Sequence, residues 1–115
     1  MYLIEKTAAA GGIEVAEADG VVTVRLWGEV DAALREQASQ SMAHTLTSPA
    51  RVVVDATDVT FIDSTGLAFI LQVHLAAGEQ GRRVTLRDPN RTVTGLLDMI
   101  GMGGELDLED ESVSA

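Results

Sequence analysis

Apolar and polar residues alternate weakly from Ile13 to Ala18 and again from Val21 to Trp27, where Val22, Val24 and Leu26 fall on one face. Spacing with a period of two predicts half-buried strands. Between the two runs stands Asp19-Gly20, a pair that tolerates the left-handed backbone of a two-residue hairpin turn. The period changes after Asp31. Leu34, Ala38, Met42 and Leu46 recur at helical spacing, which predicts a helix capped by Asp31 and running to about Thr47. Ser48-Pro49 stops it. Val52, Val53 and Val54 then form a short apolar run between Arg51 and Asp55, the pattern of a strand buried on both faces.

Residues 56–62 read as a loop anchored in the core by Phe61 and Ile62. A second helix is expected to start near Ser64 and to end by Gly78 or Gly81. Arg82 to Arg87 is the next expected strand, and Asp88-Pro89-Asn90 a turn and helix start. Val93, Leu96, Leu97 and Ile100 mark a third helix with Gly101 as its C-terminal cap. Glu105 to Leu108 completes the series as a last strand. Strand–helix–strand units close parallel pairs by right-handed crossovers. The expectation is an α/β fold with a small mixed sheet of four to five strands that opens on an antiparallel hairpin. Residues 1–12 are expected to be a flexible N-terminus or an edge strand, residues 13–108 the domain, and residues 109–115 an acidic, solvated tail.

At 115 residues the chain suits one domain. Aromatic residues make up only 3%, so the core must be built from Val, Leu, Ile, Ala and Met. The net charge of −10 repels phosphate backbones and anionic lipid heads, which argues against nucleic-acid and membrane-surface partners. It serves solubility or a basic protein partner. Cysteine is absent, which excludes disulfides and thiolate metal sites. No run approaches the roughly 20 apolar residues of a membrane span, and the N-terminus lacks the apolar stretch of a signal peptide. A cytoplasmic location is expected.

The stretch from Val52 to Leu71 is the most informative. Asp63 and Ser64 are both good helix caps, and Gly66 permits close approach in the first turn. Either choice of cap leaves Ser64 at a helix N-terminus beside the end of the sheet. N–H groups there lack intrahelical partners and the helix dipole is positive. A phosphate on Ser64 would therefore meet a favourable field. The plain alternative is that both residues only cap the helix. On a helical projection Leu67, Ile70, His74 and Ala77 should face the sheet, and Thr65 and Gln72 mark a polar side. Ala68, Leu71 and Leu75 share the side of Ser64. This apolar arc is wider than one buried face needs. It fits either a partner surface or a helix packed on two sides.

Phe61-Ile62-Asp63-Ser64-Thr65-Gly66-Leu67 resembles the phospho-acceptor signature of STAS domains in bacterial anti-sigma factor antagonists. Three other segments resemble the same pattern in order: Gly28 to Asp31, Val52 to Asp55, and Leu96 to Met102. The resemblance spans about residues 13–108. It implies a small mixed sheet with helices packed mainly on one side. It also implies a non-enzymatic regulator of sigma-factor-dependent transcription. In that role the unphosphorylated protein binds an anti-sigma factor that is also a serine kinase. The kinase, using its own ATP, phosphorylates Ser64 and ends the binding, and a serine phosphatase restores it. Asp31, Asp58, Asp63, Ser64, Thr65, Ala68 and Leu71 are the expected partner-binding residues, with Asp55 on the same edge, and no cofactor or metal is expected. Relatives usually place a short polar loop after the position of Asp31, whereas here Ala32-Ala33-Leu34-Arg35 starts a helix at once. STAS domains also serve as non-switching subunits beside lipid-transport ATPases or in stress-signalling assemblies, which is the alternative role.

Enzyme readings fit less well. Asp63-Ser64-Thr65-Gly66 has one residue too many for an aspartic protease triplet, and no second copy exists. Ile62 stands where a nucleophile elbow needs its first glycine, and there is no Gly-Lys-Ser/Thr loop. His44 and His74 have no ligand partner at helical spacing, and His74 reads as half-buried packing. An aspartate pocket of the phosphotransfer type would want a lysine, but the single lysine is Lys6.

Overall fold

The computed structural model describes residues 10–109. Residues 1–9 and 110–115 lie outside this part, and with them most of the expected N-terminal segment and acidic tail. Gly11 and Gly12 already belong to the first strand. β1 (Gly11–Ala18) pairs antiparallel with β2 (Val21–Val30). The turn residues Asp19 and Gly20 have φ of 56° and 77°, the doubly left-handed backbone of a type I′ turn, which the Asp-Gly pair supplies at low strain. β3 (Arg51–Ile62), β4 (Val84–Arg87) and β5 (Asp107–Leu108) follow as parallel neighbours, in the order β1-β2-β3-β4-β5.

Each parallel pair is bridged by a helix: α1 (Arg35–Leu46), α2 (Ser64–Glu79) and α3 (Thr92–Met99). A right-handed crossover that always steps the same way leaves its helix on the same face every time. The core accordingly lies on one side of the sheet. Val22, Val24 and Leu26 of β2 and Val52 and Val54 of β3 are buried beneath Leu34, Ile70, Val73 and Leu97. Burying each such side chain is worth about 1.5–3 kcal/mol, which is how the fold stands with few aromatics.

The structure departs from the sequence pattern in several places, each with a local cause. Asp31 does cap, accepting a hydrogen bond from the Ala33 N–H at 3.0 Å. What it starts is a 3₁₀ turn, Ala32–Leu34, before α1 begins at Arg35. The largest departure is β3, which continues through residues 56–62 instead of giving way to a loop. Arg25 pairs with Asp55 but Trp27 with Asp58, and Gly28 with Val59 but Glu29 with Phe61. At each of these steps β3 carries one residue more than β2. Such bulges break the period of two, so the alternation that would have revealed the strand is lost. The second bulge also turns Phe61 outward. It is 50% exposed, while Ile62, at 5%, is the true anchor.

Among the described residues no helix covers the other face of the sheet, where Val53 is buried and Arg25, Asp55, Asp58 and Arg87 form ion pairs. The Arg25 guanidinium donates to Asp58 at 3.1 Å and stacks over the Trp27 ring at 4.9 Å from its centroid. Arg87 bridges Asp55, at 3.1 Å, and Glu109. Glu109 is thus an ion-pair partner and not the start of a solvated tail. Burial pushes the Asp55 carboxyl up, but hydrogen bonds from the Thr57 hydroxyl and N–H and the charge of Arg87 outweigh it and hold its pKa below the usual Asp value. The hydrogen bond from Arg87 likewise lowers the pKa of Glu109. Carboxylates with depressed pKa values stabilise the fold above their unfolded pKa, about 4, and that contribution disappears as the pH falls through the folded values. Thermal melts from pH 7 to pH 3 should show Tm falling below about pH 4–5. In Arg87→Met the Tm should start lower and fall less.

Candidate functional site

α2 begins where β2 and β3 end, and three backbone features fix it there. Asp63 is extended, with φ −107° and ψ −171°, and its carboxylate accepts from the N–H groups of Thr65 and Gly66 at 2.9 and 3.1 Å. Its own N–H donates to the Val30 carbonyl at 3.3 Å. Gly66 then lies against β2 so closely that a Cβ there would sit 2.6 Å from the Val30 oxygen and 2.8 Å from Ile62 Cγ1. Val30 cannot yield without disturbing the sheet, so Gly66→Ala should lower stability by about 1–3 kcal/mol. A shifted denaturant midpoint with an unchanged m-value checks this.

Asp63 is therefore the cap, and Ser64 is the first helical residue, with its side chain exposed. Asp63 occupies two of the free N–H groups of the first turn but leaves the Ser64 hydroxyl on the surface. Thr65 is half-buried and lies on the other side of the turn, in a depression between α1 and α2 that also holds Arg35, Ser39 and Gln72. The two neighbouring hydroxyls thus face different surroundings.

On its own side Ser64 borders a groove of about 310 Å³ between α2 and α3. Ile62, Leu67, Ala68, Leu71, Leu96 and Ile100 line it, and Asp63 is the one charged residue among the lining side chains. Leu75, 58% exposed, and Met99, 81% exposed, carry apolar surface further along α2 and α3. The groove exists because α2 is buried on two sides. Leu67, Ile70 and Ala77 face the sheet as the spacing indicates, and Phe69 and Val73, which the projection did not select, are buried as well. His74 is half-buried, with Nε2 3.6 Å from Glu105.

Asp31, Asp63 and Ser64 share one end of the sheet, tied together through Val30. Ala68 and Leu71 continue from them along α2. Asp58 does not join them. It lies four residues before Ile62 on β3, or roughly 13 Å along the strand, and points to the helix-free face, where it pairs with Arg25. Asp55 is still further away and pairs with Arg87. The first bulge of β3 sets the position of Asp58, whereas Asp55 precedes it in regular register with Arg25 and Arg87. The four aspartates therefore form no single cluster, and no group of three His, Asp or Glu among the described residues could hold a metal ion. Leu96 and Ile100, the far wall of the groove, have the spacing of core positions in the sequence. Their distinguishing signal is the apolar Met99-Ile100 pair at a helix end, where a buried stripe would already have closed.

The family model described as "Mlab, STAS domain" matches residues 13–110. The chain belongs to the STAS domain family. A protein of Paenibacillus polymyxa called anti-sigma F factor antagonist is 30% identical over 105 residues, or 90% of each chain. Among solved structures, the unphosphorylated anti-sigma factor antagonist SpoIIAA matches with a TM-score of 0.66 at 21% identity, covering 89% of this chain and 91% of that one. The phosphorylated form of Bacillus SpoIIAA gives 0.67 at 20% identity, covering 89% and 95%. An anti-sigma factor antagonist from Mycobacterium paratuberculosis gives 0.75 at 18% identity, covering 90% and 89%. This STAS domain thus shares its mixed five-stranded sheet and one-sided helix layer with those proteins. None of the helices among the described residues is long and apolar enough to cross a membrane.

Proposed function

We propose that this STAS domain is an anti-sigma factor antagonist whose binding is switched off by phosphorylation at Ser64. The observation that carries the reading is an exposed hydroxyl at the first position of a helix, on the lip of an apolar groove that has no cation in its lining. In the unphosphorylated state the groove between α2 and α3 receives an anti-sigma factor that is also a serine kinase, and the sigma factor is released. The Ser64 hydroxyl oxygen attacks the γ-phosphorus of ATP held by that kinase. The bond between the γ-phosphorus and the bridging oxygen of ADP breaks, and the hydroxyl proton passes to a base of the kinase. No residue of this chain is catalytic in the exchange.

The resulting dianion gains from the N-terminal dipole of α2 but sits beside Asp63 and next to apolar walls. Docking must then desolvate two extra charges without a compensating partner. A separate serine phosphatase resets the state. The relative in Paenibacillus polymyxa supports the role by its name. The near-equal likeness to both forms of SpoIIAA supports a switch that leaves the fold in place.

Incubating the protein with ATP and the small ATP-binding serine kinases of its own genome, followed by peptide mass spectrometry, tests this directly. One phosphate on Ser64 and none on Thr65 is expected. Absence of phosphate with every such kinase, together with co-purification of a transporter ATPase, would instead favour the non-switching subunit role.

A further inference from the structure

Phe61 is the side chain whose position is hardest to explain by folding alone. The described chain has three aromatic residues, Trp27, Phe61 and Phe69, and only Phe69 serves the core. The bulge between the Gly28–Val59 and Glu29–Phe61 pairs turns Phe61 away from the core and leaves it 50% exposed. It projects from the helix-free face at the end of the sheet that carries Ser64, two residues before the cap Asp63. Glu29 stands opposite it in the ladder and is exposed, with Asp31 two residues on. The same face already holds a guanidinium on an aromatic ring beside carboxylates, since Arg25 lies over Trp27 and pairs with Asp58 and Glu14. Rings set among acidic groups attract cationic side chains, and aromatic residues dominate binding hot spots.

We propose that Phe61, flanked by Glu29, receives an arginine or lysine side chain of the anti-sigma factor, so that the docking surface wraps from the α2–α3 groove around the sheet end onto the helix-free face. The proposal rests on the antagonist reading above. Two features of the chain favour this occupant. The net charge of −10 favours a basic partner over a second copy of the chain. The patch also adjoins the groove along the chain, since Phe61 immediately precedes Ile62 and Asp63, which line it.

The test is calorimetric titration of the full-length protein with the kinase that phosphorylates it, using Phe61→Ala, Phe61→Leu, Phe61→Tyr and Glu29→Gln. Phe61→Ala and Phe61→Leu are expected to weaken binding by about tenfold or more. Phe61→Tyr, which keeps the ring face, should stay within about threefold. Glu29→Gln should weaken binding several-fold and flatten its dependence on salt. Circular-dichroism melts identify any variant that is merely unfolded, and Phe61→Tyr and Glu29→Gln are mild enough to decide the matter if Phe61→Ala is. Wild-type affinity in Phe61→Leu, or an unchanged salt dependence in Glu29→Gln, overturns the cationic contact. If those variants bind normally while Ser64→Glu still blocks binding, the antagonist reading survives without this surface. If the wild-type protein binds no such kinase, the antagonist reading itself has failed.

Discussion

Ser64→Glu is expected to bind the anti-sigma factor at least tenfold more weakly than the wild type, whereas Ser64→Ala keeps its affinity within about twofold. The asymmetry follows from the groove. Alanine removes a hydroxyl that is already solvated and needs no internal partner. Glutamate brings a carboxylate to a lip whose lining has no cation and already contains Asp63. At a distance of 4 Å two like charges near a protein surface repel by about 4 kcal/mol at an effective dielectric of 20. Solvent relieves this in the free protein, but a docked partner excludes that solvent. The fold should tolerate both changes, because acidic residues in a first helical turn are favourable. Isothermal titration with the cognate kinase checks the affinities, and matched melting curves check the fold. Equal affinity in all three proteins would rule out a charge switch at this position.

Ala68→Gln is expected to weaken the same interaction by about tenfold to a hundredfold, or roughly 1.4–2.8 kcal/mol, without adding charge. Ala68 is exposed on α2 and touches both depressions, the apolar groove on one side and the α1–α2 cleft on the other. On the proposed reading, its small side chain lets a partner approach the helix closely beside Ser64. Glutamine is a good helix former, so stability should change by less than about 0.5 kcal/mol, as for an ordinary surface site. A fall in affinity with an unchanged melting temperature assigns the effect to lost space. Full affinity would mean that the partner does not sit along this part of α2.

Much of this was legible from the sequence because local chemistry and global fold agree. Asp19-Gly20 demands its turn, the four-residue spacing of Leu34, Ala38 and Met42 demands a helix, and Asp63 is the kind of residue that caps one. The first two turns of α2 could therefore be placed with Ser64 at the helix start. What stayed hidden depends on pairings distant in sequence. The second half of β3 has no period because β2 forces two bulges into it. Those bulges in turn decide that Phe61 faces out, that Ile62 faces in, and that Asp58 meets Arg25, while Asp55 stays in regular register beside Arg87, far from the Ser64 end because the strand runs on past it. The burial of Phe69 and Val73 depends on α1 lying alongside α2, which no projection of α2 alone reveals. Leu96 and Ile100 are apolar at helical spacing whether they close a core or line a groove, and only the placement of α3 separates the two.

A pair of ¹⁵N–¹H correlation spectra, recorded before and after stoichiometric phosphorylation of the isolated protein at Ser64, puts the physical basis of the switch to the sharpest test. The expected change is confined to the first turns of α2, the ends of β2 and β3, and the facing residues of α3 around Leu96 and Ile100. Resonances of the β1–β2 hairpin and of β4 should stay in place. Wholesale movement of the core resonances would show that phosphorylation remakes the domain instead of altering its surface, and would contradict a switch that works by local charge alone.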